Sequence, residues 1–247
     1  MGVLAAVGSI RLALLADALT FVVSLLSLFA VGRWRPRPLA SRPRRSWRGV
    51  GADLLEGLRY MMSVRVLVVL TAVQMVVNLC LAVEKLIVFF ARDTLGLTPP
   101  VVAVVVAGGV GGVAGALSAP RLASWIGEIR LVVAAIAAAG VAIAAMSAAG
   151  SAPPLMVANF GYAWAVVVAS LVNRTQRQRI VPRAMLGRVT SGVRVLFLAM
   201  DPLGVVIAGA VTAALGGDPR PVFLAAGAVI VATAAAGWLA GLRRAVP

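Results

Sequence analysis

The stretch LVVAAIAAAGVAIAAMSAAGSAPPLMVANFGYAWAVVVASLVN, Leu131 to Asn173, runs for 43 residues without a charged side chain. A bilayer core about 30 Å thick is crossed by roughly 20 apolar residues in a helix, so this run is too long for one crossing and suits two. Ser151-Ala152-Pro153-Pro154 divides it, because the Pro-Pro pair removes backbone donors and disfavours helix just before it, which predicts a tight turn.

Working outward, the same pattern recurs. Leu12 to Val31 carries one charge, Asp17; Val66 to Val83 and Thr94 to Pro120 carry none; Val195 to Gly217 carries only Asp201; and Pro221 to Leu242 carries none. Hydrophobic residues make up 62% of the 247 positions and charged ones 13%, too little polar surface to dissolve a globular domain of this size. A soluble Ala-rich bundle would show a polar face at helical spacing, and these segments mostly do not. The expected fold is an all-α integral membrane bundle of about seven helices: residues 11–32, then about 64–90, 98–120, 131–150, 154–173, 192–216 and 221–242. Between the first and second lies a basic linker, residues 33–63.

The formal charge of +15 is distributed by loop. Arg33, Arg35, Arg37, Arg42, Arg44, Arg45, Arg48, Arg59 and Arg65 occupy the first linker. Arg121 and Arg130 occupy another loop, Arg174, Arg177, Arg179, Arg183 and Arg188 a third, and Arg243 and Arg244 the C-terminus. All of these fall on one side of an alternating topology, whereas Arg11, Arg92 and Arg220 fall on the other. Basic loops stay cytoplasmic, so the C-terminus is expected inside, in the plasma (cell inner) membrane, with the N-terminal end out. These charges are topological signals and not a basic face interleaved with stacking aromatics, so no nucleic-acid partner is expected. The linker, with Pro36, Pro38 and Pro43 among its arginines, suits anionic lipid head groups.

Cys80 is the only cysteine and histidine is absent, so neither an intramolecular disulfide nor a metal site is expected. No nucleophile–base pair, phosphate loop or cofactor motif occurs, and no enzymatic activity or cofactor is expected. A retinal protein would need a Schiff-base lysine in its last helix, whereas the single lysine, Lys85, lies in the second.

Several strings resemble the C-terminal part of the major facilitator superfamily, in its drug, macrolide and siderophore exporter branch. LLADALTFVVS (Leu14 to Ser24) is similar to the family's sixth helix, EGLRYMM (Glu56 to Met62) to the start of its seventh, and ARDTLGL (Ala91 to Leu97) to the segment after it. QRIVPRAMLGRVTS (Gln178 to Ser191) is similar to the loop between its tenth and eleventh helices. The resemblance implies that residues 11–247 correspond to helices six to twelve, with residues 1–10 a remnant of the fifth. It implies one six-helix half, residues 64–247, plus one helix of the other, and a cytoplasmic central linker. PRLASWIGE (Pro120 to Glu128) resembles the family's loop signature, Gly-x-Leu-Ala-Asp-Arg-x-Gly-Arg, at Leu122, Ala123 and Gly127, but lacks its anchoring Asp. The implied activity is efflux of small amphipathic compounds, coupled to proton entry. The alternative is a non-transporting remnant with a structural role, or a chain completed by a partner half or a second copy.

Charges within a bilayer are costly, which makes each a candidate site. Arg194 and Asp201 are seven residues apart and share a helical face; they suit a proton-coupling carboxylate with a modulating arginine, or a polar contact beside Pro202. Gln74, Asn78 and Lys85 fall on one face at i, i+4 and i+11, and Asn159, Tyr162, Ser170 and Asn173 form a second stripe. Both suit a cavity wall or interhelical hydrogen bonds, and the family places the second stripe on a cavity-lining helix. Glu84 and Lys85 are placed near the end of their helix, pointing about 100° apart, without a direct pair. Asp17, Thr20 and Ser24 line one face of the first helix, with a structural partner for Asp17 the better reading. Gly108 and Gly112, and Gly111 and Gly115, have the GxxxG spacing that lets helices pack closely, and Gly127 belongs to the loop signature.

Overall fold

A computed structural model of the chain describes residues 10–32, 47–97, 101–240 and 242, which contain helices and turns and no strand. The chain divides into two compact units, Met1–Gly51 and Ala52–Pro247. The first contains α1, Ile10–Gly32, a continuous 23-residue helix whose Ser24 and Ser27 hydroxyls donate to the carbonyls of Thr20 and Val23. Asp17 lies in this helix, outside the residues whose side chains are described.

The remaining helices are α2 (Trp47–Ser63), α3 (Arg65–Leu81, continued to Thr94), α4 (Val101–Ile126), α5 (Glu128–Ser147), α6 (Ala152–Ile180), α7 (Arg183–Ala214) and α8 (Arg220–Ala240). Among the described residues, α3 to α8 are six helices long and apolar enough to cross a membrane. Their outer faces carry large apolar side chains, with Leu117 and Val157 each 73% exposed. Polar side chains such as Thr71, Asn159, Asn173 and Thr212 are buried instead. Apolar outside and polar inside is the arrangement lipid demands, and the protein is a multi-pass, all-α membrane protein.

Most helices extend beyond their charge-free runs. α6 continues past Asn173 to Ile180 and α7 begins at Arg183, well before residue 192, because long arginine stems continue a helix while their heads reach polar surroundings. α4 passes through Pro120 and stops at Gly127, whose φ of +87° suits glycine and reverses the chain in one residue. Pro153 and Pro154 lie in the first turn of α6, where missing donors cost least. The second half of the expected linker is itself helical: α2 sets Leu58, Tyr60 and Met61 against Leu67, Val181, Val189 and Val193, and Arg188 holds Asp53 at 3.0 Å and Glu56 at 2.8 Å. The expected linker residues 33–46, and residues 1–9 of the segment 1–10 expected as a fifth-helix remnant, lie outside the described residues.

Packing partners set helix directions. α4 runs parallel to α6, with Gly108 against Asn159, Gly111 against Phe160 and Gly115 against Trp164. α5 runs antiparallel to both α6 and α8: Glu128 meets Arg179 at 2.9 Å, and Ser147 accepts from Arg220. α3 lies alongside α7, where Gly204 abuts the Leu79 carbonyl, and Arg65 donates to the Ala240 carbonyl at 3.1 Å. These contacts gather Arg59, Arg65, Arg121, Arg130, Arg179, Arg183 and Arg188 at one end of the bundle and Arg92 and Arg220 at the other.

Candidate functional site

A cleft of about 730 Å³ opens between α3, α6 and α7. α3 contributes Gln74, Asn78, Leu81 and Glu84; α6 contributes Tyr162, Val166, Ser170, Asn173, Arg174, Arg177 and Gln178; and α7 contributes Thr190, Arg194, Phe197, Leu198 and Asp201. The residues on α6 recur at i, i+4, i+8, i+11 and i+15 from Tyr162 to Arg177, one unbroken helical face.

The cleft is graded along its length. Tyr162 donates its hydroxyl to Glu84 Oε2 at 2.8 Å. Further along, Asn173 Nδ2 donates to Gln74 Oε1 at 2.8 Å, and Gln74 Nε2 donates to Asn78 Oδ1 at 3.2 Å. Beyond them the Arg177 guanidinium lies over the Phe197 ring, 4.9 Å from its centroid. Glu84, Tyr162 and Asp201 thus form an acidic end, and Arg174, Arg177 and Arg194 a basic one.

Glu84 is not near the end of its helix. The helix continues ten residues to Thr94, which sets Glu84 about 15 Å from that terminus; Tyr162 lies ten residues into α6, at a similar depth. Glu84, and not Lys85, joins the Gln74–Asn78 stripe. In an ideal α-helix Lys85 would lie about 20° from Gln74 and Glu84 about 80° to the other side. The backbone tightens to a 3₁₀ helix over Ala82–Leu86, and the larger turn of about 120° per residue brings Glu84 within about 20° and carries Lys85 about 100° off. Lys85 lies outside the cleft, yet its flexible stem does return to Glu84, with Nζ 3.8 Å from Oε2, so the direct pair that the spacing argued against is present at a long, Coulombic distance.

Asn159 also leaves the cleft. It is buried on a neighbouring face of α6, about 60° round from Tyr162, where Nδ2 donates to the Val104 carbonyl at 2.8 Å. Gly108, Gly111 and Gly115 serve the same seam, and Gly112 faces only the Val167 side chain, at 3.6 Å from where a Cβ would lie. Arg194 and Asp201 line one face, as their spacing requires, but seven residues of rise separate them by about 10 Å. Arg174, Arg177, Thr190 and Phe197 are cleft residues that the loop reading of the arginines missed; the i, i+4 step from Asn173 to Arg177 was the available signal.

The PRLASWIGE segment, expected as a loop, is helical except at Gly127, since Pro120 to Ile126 end α4 and Glu128 begins α5; it borders a second hollow of about 980 Å³ at the arginine-rich end. Ser124 bonds to the Arg121 carbonyl, and the segment's link to a neighbouring helix comes from Glu128, which accepts from Arg179 and from Gln176. Among the described residues no cluster of three or more metal-ligating side chains occurs. The chain matches no protein-family model, no curated protein and no solved structure.

Proposed function

We propose that the protein is a transporter of the major facilitator type, moving small amphipathic compounds outward across the plasma membrane in exchange for protons. The observation that carries this reading is the pair of carboxylates, Glu84 and Asp201, in a polar cleft about half-way along helices whose outer faces are apolar. Carboxylates at that depth are costly unless a cavity hydrates them, and a hydrated carboxylate can take up and release a proton. In this reading Asp201 carries the coupled proton, Glu84 and Tyr162 form its neighbour on the pathway, and Arg194 lines the same face of α7 about 10 Å away. The arginine-rich end faces the cytoplasm, together with the C-terminus. The side of the cleft away from α3 is closed by a partner half or a second copy, and the Glu128–Arg179 contact holds the cytoplasmic ends of α5 and α6 together between strokes.

The test is substrate-dependent proton flux in proteoliposomes containing the full chain, with a pH-sensitive dye in the lumen and amphipathic dyes of either charge as substrates. Flux is expected, and Asp201→Asn is expected to reduce it at least tenfold. An Asp201→Asn protein with full proton-coupled flux removes Asp201 from the mechanism. A chain that supports no flux with any dye rejects the transport reading.

A further inference from the structure

At the acidic end of the cleft Glu84 is held by the Tyr162 hydroxyl and faces Lys85, whereas the arginines of the basic end have no carboxylate beside them. Among the described residues none of Arg174, Arg177 or Arg194 forms an ion pair with a carboxylate. Two buried polar atoms at the same end have no hydrogen-bond partner: Asn173 Oδ1, on a side chain only 3% exposed, and Arg177 Nε. They are one helical turn apart on the cleft-lining face of α6. The Asn173 amide is oriented by its neighbours, since Nδ2 is committed to Gln74, which leaves Oδ1 as an acceptor awaiting a donor. Phe197 fixes the Arg177 guanidinium from one side, which leaves its Nε–H as a donor awaiting an acceptor. Buried polar atoms are rarely left unsatisfied, and a part-buried guanidinium without a carboxylate, with a second arginine lining the same end of the cleft, favours an anion.

We propose that this end of the cleft binds the oxyanion head of an amphipathic organic anion: a carboxylate held by Arg177 and Arg194, with an adjacent hydroxyl or N–H donating to Asn173 Oδ1. The apolar Phe197 and Leu198 receive the start of its tail, and Glu84 and Asp201 at the far end repel the head and so orient the molecule. The inference rests on the transport reading only in taking the anion as cargo; the site itself stands on the unpartnered atoms. An anionic phospholipid head group presents the same chemistry from the inner leaflet.

Native mass spectrometry of the full chain in neutral detergent compares 2-hydroxydodecanoate, dodecanoate, dodecyltrimethylammonium and phosphatidylglycerol. Binding of 2-hydroxydodecanoate is expected, weakened at least tenfold by Arg177→Gln and by Arg194→Gln and unchanged by Arg121→Gln on the bundle's surface. Asn173→Leu is expected to erase the preference for the hydroxylated acid over dodecanoate. Arg177→Lys, which keeps the charge but loses Nε, separates a binding loss from misfolding, because it should bind at an intermediate strength. Equal binding of the quaternary ammonium, or binding indifferent to both arginine variants, overturns the site. Arginine-dependent binding of phosphatidylglycerol alone supports the oxyanion site and overturns the cargo. Anion binding without any proton flux in proteoliposomes sinks the transport reading and leaves the site; flux of a cationic dye without anion binding does the reverse.

Discussion

α6 has two working faces, and they are built on opposite principles. Toward α4 it offers backbone: Phe160 and Trp164 present main-chain atoms to Gly111 and Gly115, and the seam is sealed by hydrogen bonds from Asn159 to the Val104 carbonyl and from Trp164 to Ser118. Toward α3 and α7 it offers side chains across a cleft: Tyr162 and Asn173 reach Glu84 and Gln74 of α3, and Arg177 reaches the Phe197 ring of α7. Without a hydrophobic force between helices in lipid, close contact has to come from small residues and dispersion. A helix pair lacking them stands apart wherever polar groups and water occupy the space. One helix therefore serves as a rigid wall because its other side is locked.

The largest expected effect comes from breaking the locked face. A Cβ at Gly111 would coincide with the Phe160 carbonyl, whose backbone cannot step aside, so Gly111→Ala is expected to destabilise the bundle by about 2–3 kcal/mol. One residue along, Gly112 has only the Val167 side chain nearby, and Gly112→Ala is expected to be neutral or to gain up to about 1 kcal/mol from helix propensity. Reversible unfolding in mixed micelles compares the two directly. Equal effects would show that the seam is not the rigid contact described.

How far the sequence foretold this contrast can be read from the same residues. The charge-free run from Leu131 to Asn173 and its Pro-Pro break reveal α5 and the start of α6, since both depend on local backbone chemistry and hydropathy. GxxxG spacing identifies the packing helix, but only the crossing angle decides that Gly111 and Gly115 meet main chain while Gly112 does not. The polar stripe of α6 mixes its two faces, because Asn159 and Tyr162 are three residues apart and differ by about 60°. That is enough to send one into the α4 seam and the other to Glu84. The arginines past Asn173 look like a loop by charge alone, although they continue the helix. The 3₁₀ turn over Ala82–Leu86 has no breaker in its sequence; it lies where Gly204 of α7 abuts Leu79 and Ala82, a tertiary contact invisible to local pattern.

A medium effect separates the two asparagines of α6. Asn159→Ala removes a buried hydrogen bond from the locked seam and is expected to cost about 1 kcal/mol, within the range of interhelical polar contacts in membranes. Asn173→Ala removes the bond to Gln74 but also the buried, unpartnered Oδ1; these oppose each other, and the change is expected to cost less than about 0.5 kcal/mol. The comparison sharpens if Asn173→Ala, though nearly silent in unfolding, alters ligand binding while Asn159→Ala does not. The opposite pattern would place the functional wall on the wrong face of α6.

The smallest expected change in stability is at the acidic end. Glu84→Gln keeps the shape and an acceptor oxygen for the Tyr162 hydroxyl, but loses the charge-assisted part of that bond and the distant contact with Lys85. Lys85 is exposed and its contact long, so little stabilisation is lost there; the neutral side chain also costs less to hold in an apolar surrounding than a carboxylate. These terms oppose each other, and the net shift is expected within about 0.5 kcal/mol. The measurement that matters is therefore proton flux at unchanged stability. Glu84→Gln is expected to reduce coupled flux while leaving 2-hydroxydodecanoate binding at the basic end intact, since the carboxylate and the arginines occupy opposite ends of the cleft. If anion binding falls in step with flux, the ends are not separate sites, and the graded cleft reduces to a single polar pocket.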